Sequence, residues 1–81
     1  MDICKGSLVY SAQGRDKGKI FVVLDTEGGF VYLADGDTRR VSKPKKKKIK
    51  HIRSTNRVLE LDFDNVSDSS VRKALSEYSA Q

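Results

Sequence analysis

The chain has 81 residues, of which 37% are hydrophobic and 33% are charged, and its formal net charge at pH 7 is +5. So short a chain supports only one small hydrophobic core, which predicts a single domain over residues 1–81. The only cysteine, Cys4, excludes an internal disulfide bond, and no long apolar secretory signal opens the sequence, which favours a cytoplasmic protein. No apolar run approaches the roughly 20 residues that cross a bilayer, so we expect no membrane association.

The first half of the chain has the pattern of short strands joined by tight turns. Strands are predicted at residues 6–11, 20–26, 30–34 and 38–42, with glycine turns at 28–29 and 35–36. The second strand is apolar on both faces, so Phe21 is either covered by the C-terminal segment or exposed as a base-stacking surface. Repeated reversals without a helical period predict a mainly β fold, a small five-stranded SH3-like barrel over about residues 5–54.

A basic turn framed by glycines, SAQGRDKGK at residues 11–19, joins the first two strands. Gly14 and Gly18 permit the positive φ angles of a tight reversal, so the cations between and after them point outward. The spacing differs from that of nucleotide-hydrolysing phosphate loops, which have four residues between the glycines and Ser or Thr after the lysine. We predict polyanion contacts here from Arg15, Lys17, Gly18 and Lys19.

The stretch LVYS at residues 8–11, GRDKGK at 14–19 and the apolar run at 20–24 together resemble a KOW motif, with Gly18 at its hallmark glycine. With the lysine-rich segment that follows the third strand, the chain is similar to the L-fourteen-e-like KOW proteins. These are ribosomal proteins of the archaeal and eukaryotic large subunit and small bacterial relatives. The resemblance implies an SH3-like fold that binds RNA, proteins or both, and it favours RNA over DNA.

Positive charge is concentrated in residues 39–57, where ten of nineteen residues are Lys or Arg and none is acidic. The rest of the chain has six basic and eleven acidic residues, a balance of −5. Pro44 favours an extended backbone before it, so residues 43–50 are predicted to form an exposed basic loop for phosphates, followed by a closing strand at 50–54. A solubilising or disordered loop, or a localisation signal, is the alternative. The predicted contacts are Arg39, Arg40, Lys43, Lys45, Lys46, Lys47, Lys48, Lys50, His51 and Arg53.

The C-terminal part of the chain is predicted to cover the barrel. Apolar and acidic residues alternate in an extended segment at 58–63, so that Leu59, Leu61 and Phe63 face the barrel. This alternation accounts for the acidic residues of the segment better than a metal-binding cluster or a catalytic pair of carboxylates does. A capping serine or aspartate at 67–68 and helical apolar spacing predict a helix over about 68–79. The helix docks on the barrel in this interpretation, and a protein-binding helix is the alternative.

No pattern of catalytic or metal-ligating residues is present in the sequence. His51 and Cys4 do not supply the usual four ligands of a zinc site, and no nucleophile has a base at a recognisable spacing. We therefore predict a non-enzymatic protein without cofactor or metal, monomeric when free, that binds structured RNA. The resemblance points to ribosomal RNA of the large subunit. A module that docks on transcription or translation proteins is the alternative, and a DNA-coating role is the third.

Overall fold

The computed structural model describes residues 3–79, so the predicted domain limits at residues 1 and 81 lie outside this range. The elements are β1 (Ser7–Ser11), β2 (Ile20–Glu27), β3 (Phe30–Ala34), β4 (Lys45–Lys48), β5 (Ile52–Val58) and α1 (Asp68–Ser79). The strands form one antiparallel sheet in the order β4-β3-β2-β1-β5. The sheet curls, because Lys47 of the edge strand β4 bonds to Ser11 of β1 although two strands lie between them in the sheet, and the molecule measures only 27 × 27 × 24 Å. The prediction of a small, mainly β fold with five strands and a C-terminal helix is confirmed.

Residues 20–24 of strand β2 are apolar on both faces because both faces are covered there. The interior of the curled sheet contains Val9, Phe21, Val23, Val31, Leu33 and Ile52. On the opposite face, Leu8 and Val22 pack against Val71 and Leu75 of α1. Phe21 is only 1% exposed within the first cluster, so its interpretation as a base-stacking surface is wrong. The prediction that the C-terminal segment covers Phe21 is also wrong, because this segment packs on the other face of β2. Burial of each such large side chain contributes about 1.5–3 kcal/mol.

The segment after β5 covers the helix side of the sheet, as its alternation predicted. Leu59 and Leu61 pack against the second cluster. The Leu59 amide donates to the Gly6 carbonyl oxygen at 2.8 Å, which holds the start of the segment beside β1. Phe63 is half-buried and lines a shallow cavity with Leu24. The sheet itself continues to Val58, beyond the predicted limit at residue 54.

The helix occupies the predicted range and begins with a reciprocal cap. The Ser70 amide donates to Ser67 Oγ at 3.1 Å, and the Ser67 amide donates to Ser70 Oγ at 3.0 Å. The first two turns also fasten the loop between β3 and β4. The Val41 amide donates to Asp68 Oδ1 at 2.7 Å, and Arg72 Nη1 donates to the Gly36 carbonyl oxygen at 2.6 Å. Helix docking therefore fixes the position of the residues from 36 to 41.

The predicted strand at 38–42 is wrong, because the Asp35 carboxylate folds the chain into a turn. Asp35 Oδ1 accepts from the amides of Asp37 and Arg39, each at 2.8 Å, and Oδ2 accepts from the Thr38 hydroxyl at 2.7 Å. A second turn follows, in which the Lys43 amide donates to the Arg40 carbonyl oxygen at 3.0 Å. Side-chain hydrogen bonds to nearby amides compete here with strand pairing.

The Asp35 turn predicts a loss of stability in acid. Burial alone would raise the Asp35 pKa, but hydrogen bonds from Arg39, Thr38 and Asp37, with the charge of Lys19, outweigh it and lower the pKa. A lowered folded-state pKa stabilises the protein above the unfolded value, about 4, and this stability is lost as pH falls through the folded value. We expect Asp35→Asn to flatten the loss of unfolding free energy below about pH 4, measured by urea unfolding at several pH values.

The exposed Asp37 provides a matched control for this experiment, because it contacts Asp35 through its backbone amide, which Asp37→Asn keeps. We expect Asp37→Asn to follow the wild-type profile. Identical acid profiles for Asp35→Asn and the wild type would contradict the role of the Asp35 carboxylate.

The predicted exposed loop at 43–50 is wrong in its centre, because Lys45–Lys48 is strand β4. It pairs with β3 from Leu33 opposite Lys45 to Phe30 opposite Lys48. Successive side chains of a strand point to opposite faces, which separates neighbouring ammonium groups and reduces their repulsion. Lysines on an edge strand also oppose pairing with further strands. Residues Ile49–His51 form a one-turn 3₁₀ helix, and the closing strand begins at Ile52 rather than at residue 50.

Candidate nucleic-acid interface

The turn at residues 11–19 is closed by its own backbone. The Ser11 amide donates to the Lys19 carbonyl oxygen at 3.0 Å, and the Gly18 amide donates to the Ser11 carbonyl oxygen at 2.8 Å. Gly14 and Gly18 have φ angles of 83° and 88°, as predicted. A Cβ at Gly18 would meet no heavy atom of the described residues within 4 Å, so glycine is required there by conformation and not by space. The predicted contacts Arg15, Lys17 and Lys19 are all exposed on this turn.

Two cations of the basic segment hold this turn in place. Lys47 Nζ donates to Ser11 Oγ at 2.7 Å and to the Gln13 carbonyl oxygen at 2.6 Å. Arg39 Nη2 forms an ion pair with Asp16 Oδ2 at 3.1 Å, and Asp16 is only 7% exposed. A buried carboxylate requires such a partner. Arg39 and Lys47 were predicted to contact a ligand, and both are half-buried and bonded to the turn.

The turn and the basic segment therefore meet at one end of the sheet. His51 completes the arrangement through its backbone, because its carbonyl oxygen accepts from the Ala12 amide at 2.8 Å. The half-buried His51 thus supports the turn through its backbone and not through its imidazole ring. No sequence pattern indicated the Asp16 contact, since an acidic residue in a glycine turn is ordinarily exposed.

The contacts of Lys47 predict a stabilising role for one lysine of β4. We expect Lys47→Met, which keeps the apolar stem, to lower the free energy of unfolding by about 1 kcal/mol, a charged hydrogen-bond value reduced for partial exposure. We also expect faster hydrogen exchange of the Gly18 amide. Lys45→Met is the matched control, because Lys45 is exposed two residues earlier on the same strand. Equal effects of the two substitutions on unfolding and exchange would contradict the proposed anchoring.

A basic groove lies between the Asp35 turn and β4. It has a volume of about 620 Å³, and five of its eight lining residues are cationic: Arg39, Arg40, Lys43, Lys45 and Lys46. Thr38, Ser42 and Pro44 complete the lining, and within the described chain no Asp or Glu borders it. The Arg40 side chain is 68% exposed, and its Nη1 lies 3.9 Å from Asp68 Oδ2. So weak a surface pair leaves the guanidinium able to bind a ligand.

The side chains of Lys46 and Lys48 alternate along β4 with those of Lys45 and Lys47, and Lys46 also lines the groove. Lys46 and Lys48 stand opposite Tyr32 and Phe30 on the outer face of β3 and β4. Lys46 Nζ lies 4.7 Å from the centre of the Phe30 ring and 5.9 Å from that of Tyr32. These two aromatic residues were not predicted as site residues. They were missed because residues 43–50 were predicted to form a loop, so no pairing of β3 with a lysine strand was expected.

The remaining predicted contacts lie at or after the 3₁₀ helix. Lys50 is exposed, and the exposed Arg53 lies on β5 opposite Tyr10, next to the start of the turn. Tyr10 is 39% exposed, and a side-chain hydrogen bond with Tyr78 of α1 raises its pKa. The Arg57 guanidinium lies 5.2 Å from the centre of the Tyr78 ring. Tyrosines and arginines therefore pack together where β1, β5 and the helix meet.

Among residues 3–79, no group of three or more His, Cys, Asp or Glu side chains is placed to hold a metal ion. No described helix combines the length and apolar character needed to cross a membrane. No protein-family model matches the chain, and no curated protein matches it either.

Proposed function

We propose that this protein is a KOW-type domain that binds structured RNA and catalyses no reaction. The observation that carries the proposal is the groove lined by five cations without a carboxylate. Phosphate oxygens are the ligands that such a set of guanidinium and ammonium groups prefers. Hydroxyls of Thr38 and Ser42 in the same lining add hydrogen bonds that suit phosphate and ribose.

The turn at residues 11–19 extends this surface. The ion pair between Arg39 and Asp16 links the groove to the turn directly. Arg15, Lys17 and Lys19 are thereby carried next to the groove on a backbone fixed by Lys47. Cations on a fixed backbone lose little conformational freedom on binding, which favours affinity. In this mechanism Arg39 and Lys47 position other cations, while Arg40, Lys43 and Lys45 contact phosphates.

The choice of RNA and of its source depends on the motif resemblance in residues 8–24. That resemblance supports ribosomal RNA of the large subunit as the ligand, and hence a cytoplasmic place and a monomer before assembly. Docking on a protein through α1 is less favoured, because Val71 and Leu75 of its apolar face are 0% and 7% exposed against the sheet. The proposed mechanism requires no cofactor or metal.

Purification of the protein from cells tests the proposal. We expect the protein to carry nucleic acid whose absorbance disappears after ribonuclease treatment, and crosslinking followed by sequencing should identify ribosomal RNA. A stoichiometric protein partner that survives ribonuclease and high salt would support the docking alternative instead. Equal affinity for random duplex DNA would support the DNA-coating role.

A further inference from the structure

Two aromatic rings lie next to each other on the outer face of the β3–β4 hairpin. Phe30 and Tyr32 are both half-buried and are two residues apart on β3, so they share this face. We propose that the rings stack unpaired RNA bases. This inference rests on the proposed function, because it names the part of the RNA that this face receives.

The strand register surrounds these rings with an ordered set of charges. Across β2, β3 and β4, each row runs from an acid through an aromatic ring to a lysine: Asp25, Tyr32 and Lys46 in one row, and Glu27, Phe30 and Lys48 in the next. Apart from Lys5, which lines a cavity with Asp25, Glu27 and Tyr32, the face therefore has an anionic side, an aromatic centre and a cationic side.

A nucleotide has the matching order of groups. Its phosphate is anionic, and its base is a neutral flat ring that stacks on an aromatic face whatever its identity. The lysines of β4 attract the phosphate, and the carboxylates of β2 repel it, so the base is directed over the rings. An acidic peptide would satisfy the lysines, but its second and third carboxylates would face those of β2.

The aromatic face is continuous with the proposed phosphate groove. Lys46 lines the groove and also lies 4.7 Å from the centre of the Phe30 ring. An RNA strand bound in the groove therefore leads directly onto the rings. A phosphate that attracts the Lys46 ammonium group also moves it away from the Phe30 ring and exposes that ring. The Tyr32 hydroxyl donates to Glu27 Oε2 at 2.9 Å, which holds its ring in position before binding.

Two RNA probes test the inference: a hairpin with an unpaired extension, and the same hairpin with that extension base-paired. We expect the wild type to prefer the unpaired probe. The double variant Phe30→Leu/Tyr32→Leu should lose roughly tenfold or more in affinity for the unpaired probe and less than about twofold for the paired one. Its salt dependence should stay unchanged, because no phosphate contact is removed. Thermal unfolding checks that the variant is folded.

Two further variants keep the test decisive if the double variant is unstable. Tyr32→Phe keeps the stacking ring and removes only the bond to Glu27, so its affinity for the unpaired probe should stay well above that of the double variant. Phe30→Trp introduces the only tryptophan of the chain, and we expect the unpaired probe to quench its fluorescence.

The outcomes separate the two proposals. Equal losses on both probes, or tryptophan emission unchanged at saturating unpaired RNA, would overturn base stacking. A wild type that binds both probes equally would overturn only this inference. A wild type that binds neither probe would overturn the proposed function itself.

Discussion

Replacement of Gly36 by alanine is expected to lower the free energy of unfolding by about 3 kcal/mol, the largest effect we predict for a single methyl group. Gly36 has a φ angle of 78°, which strains any residue with a Cβ. A Cβ there would also overlap the Asp68 carbonyl oxygen and lie 2.9 Å from Cγ of Arg72. The helix would have to move from the sheet to make room. Urea unfolding at neutral pH measures the change.

Gly18→Ala is the matched control for this prediction. Gly18 has a similar φ angle, 88°, but a Cβ at this position has open space around it in the described structure. Its cost should therefore be the conformational part alone, about 1–2 kcal/mol. If both variants lose the same stability at the same m-value, the close fit of Gly36 beneath the helix contributes nothing.

Removal of two groove lysines should weaken RNA binding strongly without unfolding the protein. Lys43 and Lys45 are both exposed, so Lys43→Gln/Lys45→Gln should keep the wild-type melting temperature. If about six cations contact phosphates, log affinity should fall with log salt at a slope of about −4 to −5 in the wild type. The variant should lose about 1.5 from that slope and roughly thirtyfold in affinity at about 0.1 M salt.

A control variant with the same change of charge separates groove contacts from net charge. Lys5 and Lys73 are exposed and lie outside the groove, so Lys5→Gln/Lys73→Gln should leave the slope unchanged. Equal slopes for the two double variants, measured by fluorescence anisotropy with a structured RNA, would show that the groove is not the binding surface. Reversal of all four β4 lysines is a poorer test, because Lys47 also holds the turn.

Local signals in the sequence predicted much of the fold. The Ser67 cap and the spacing of Val71 and Leu75 predicted the helix, because both signals depend on residues within a few positions of each other. Gly18 in the same way indicated a backbone conformation that few other residues adopt. These features need no knowledge of distant parts of the chain.

The errors arose where distant residues decide the outcome. Four consecutive lysines have no apolar alternation, yet Lys45–Lys48 is a strand because the exposed edge of β3 offers backbone partners. The environment of Phe21 depends on which face of β2 the helix covers, and the residues of β2 do not specify that face. The contacts of Asp16 and of Lys47 join residues more than twenty positions apart, and no local pattern predicts them.

The hydrogen bonds between α1 and the β3–β4 connection couple the attachment of the helix to the binding of a ligand in the groove. Asp68 and Arg72 fasten the backbone that carries Arg39 and Arg40, so detachment of the helix would remove two of the hydrogen bonds that hold the groove in shape. By mass action, a polyanion that occupies only the assembled groove raises the population of molecules with the helix attached. Under the proposed function, part of the free energy of RNA binding would therefore depend on whether the twelve-residue helix is attached, although the helix is remote from the motif in the sequence.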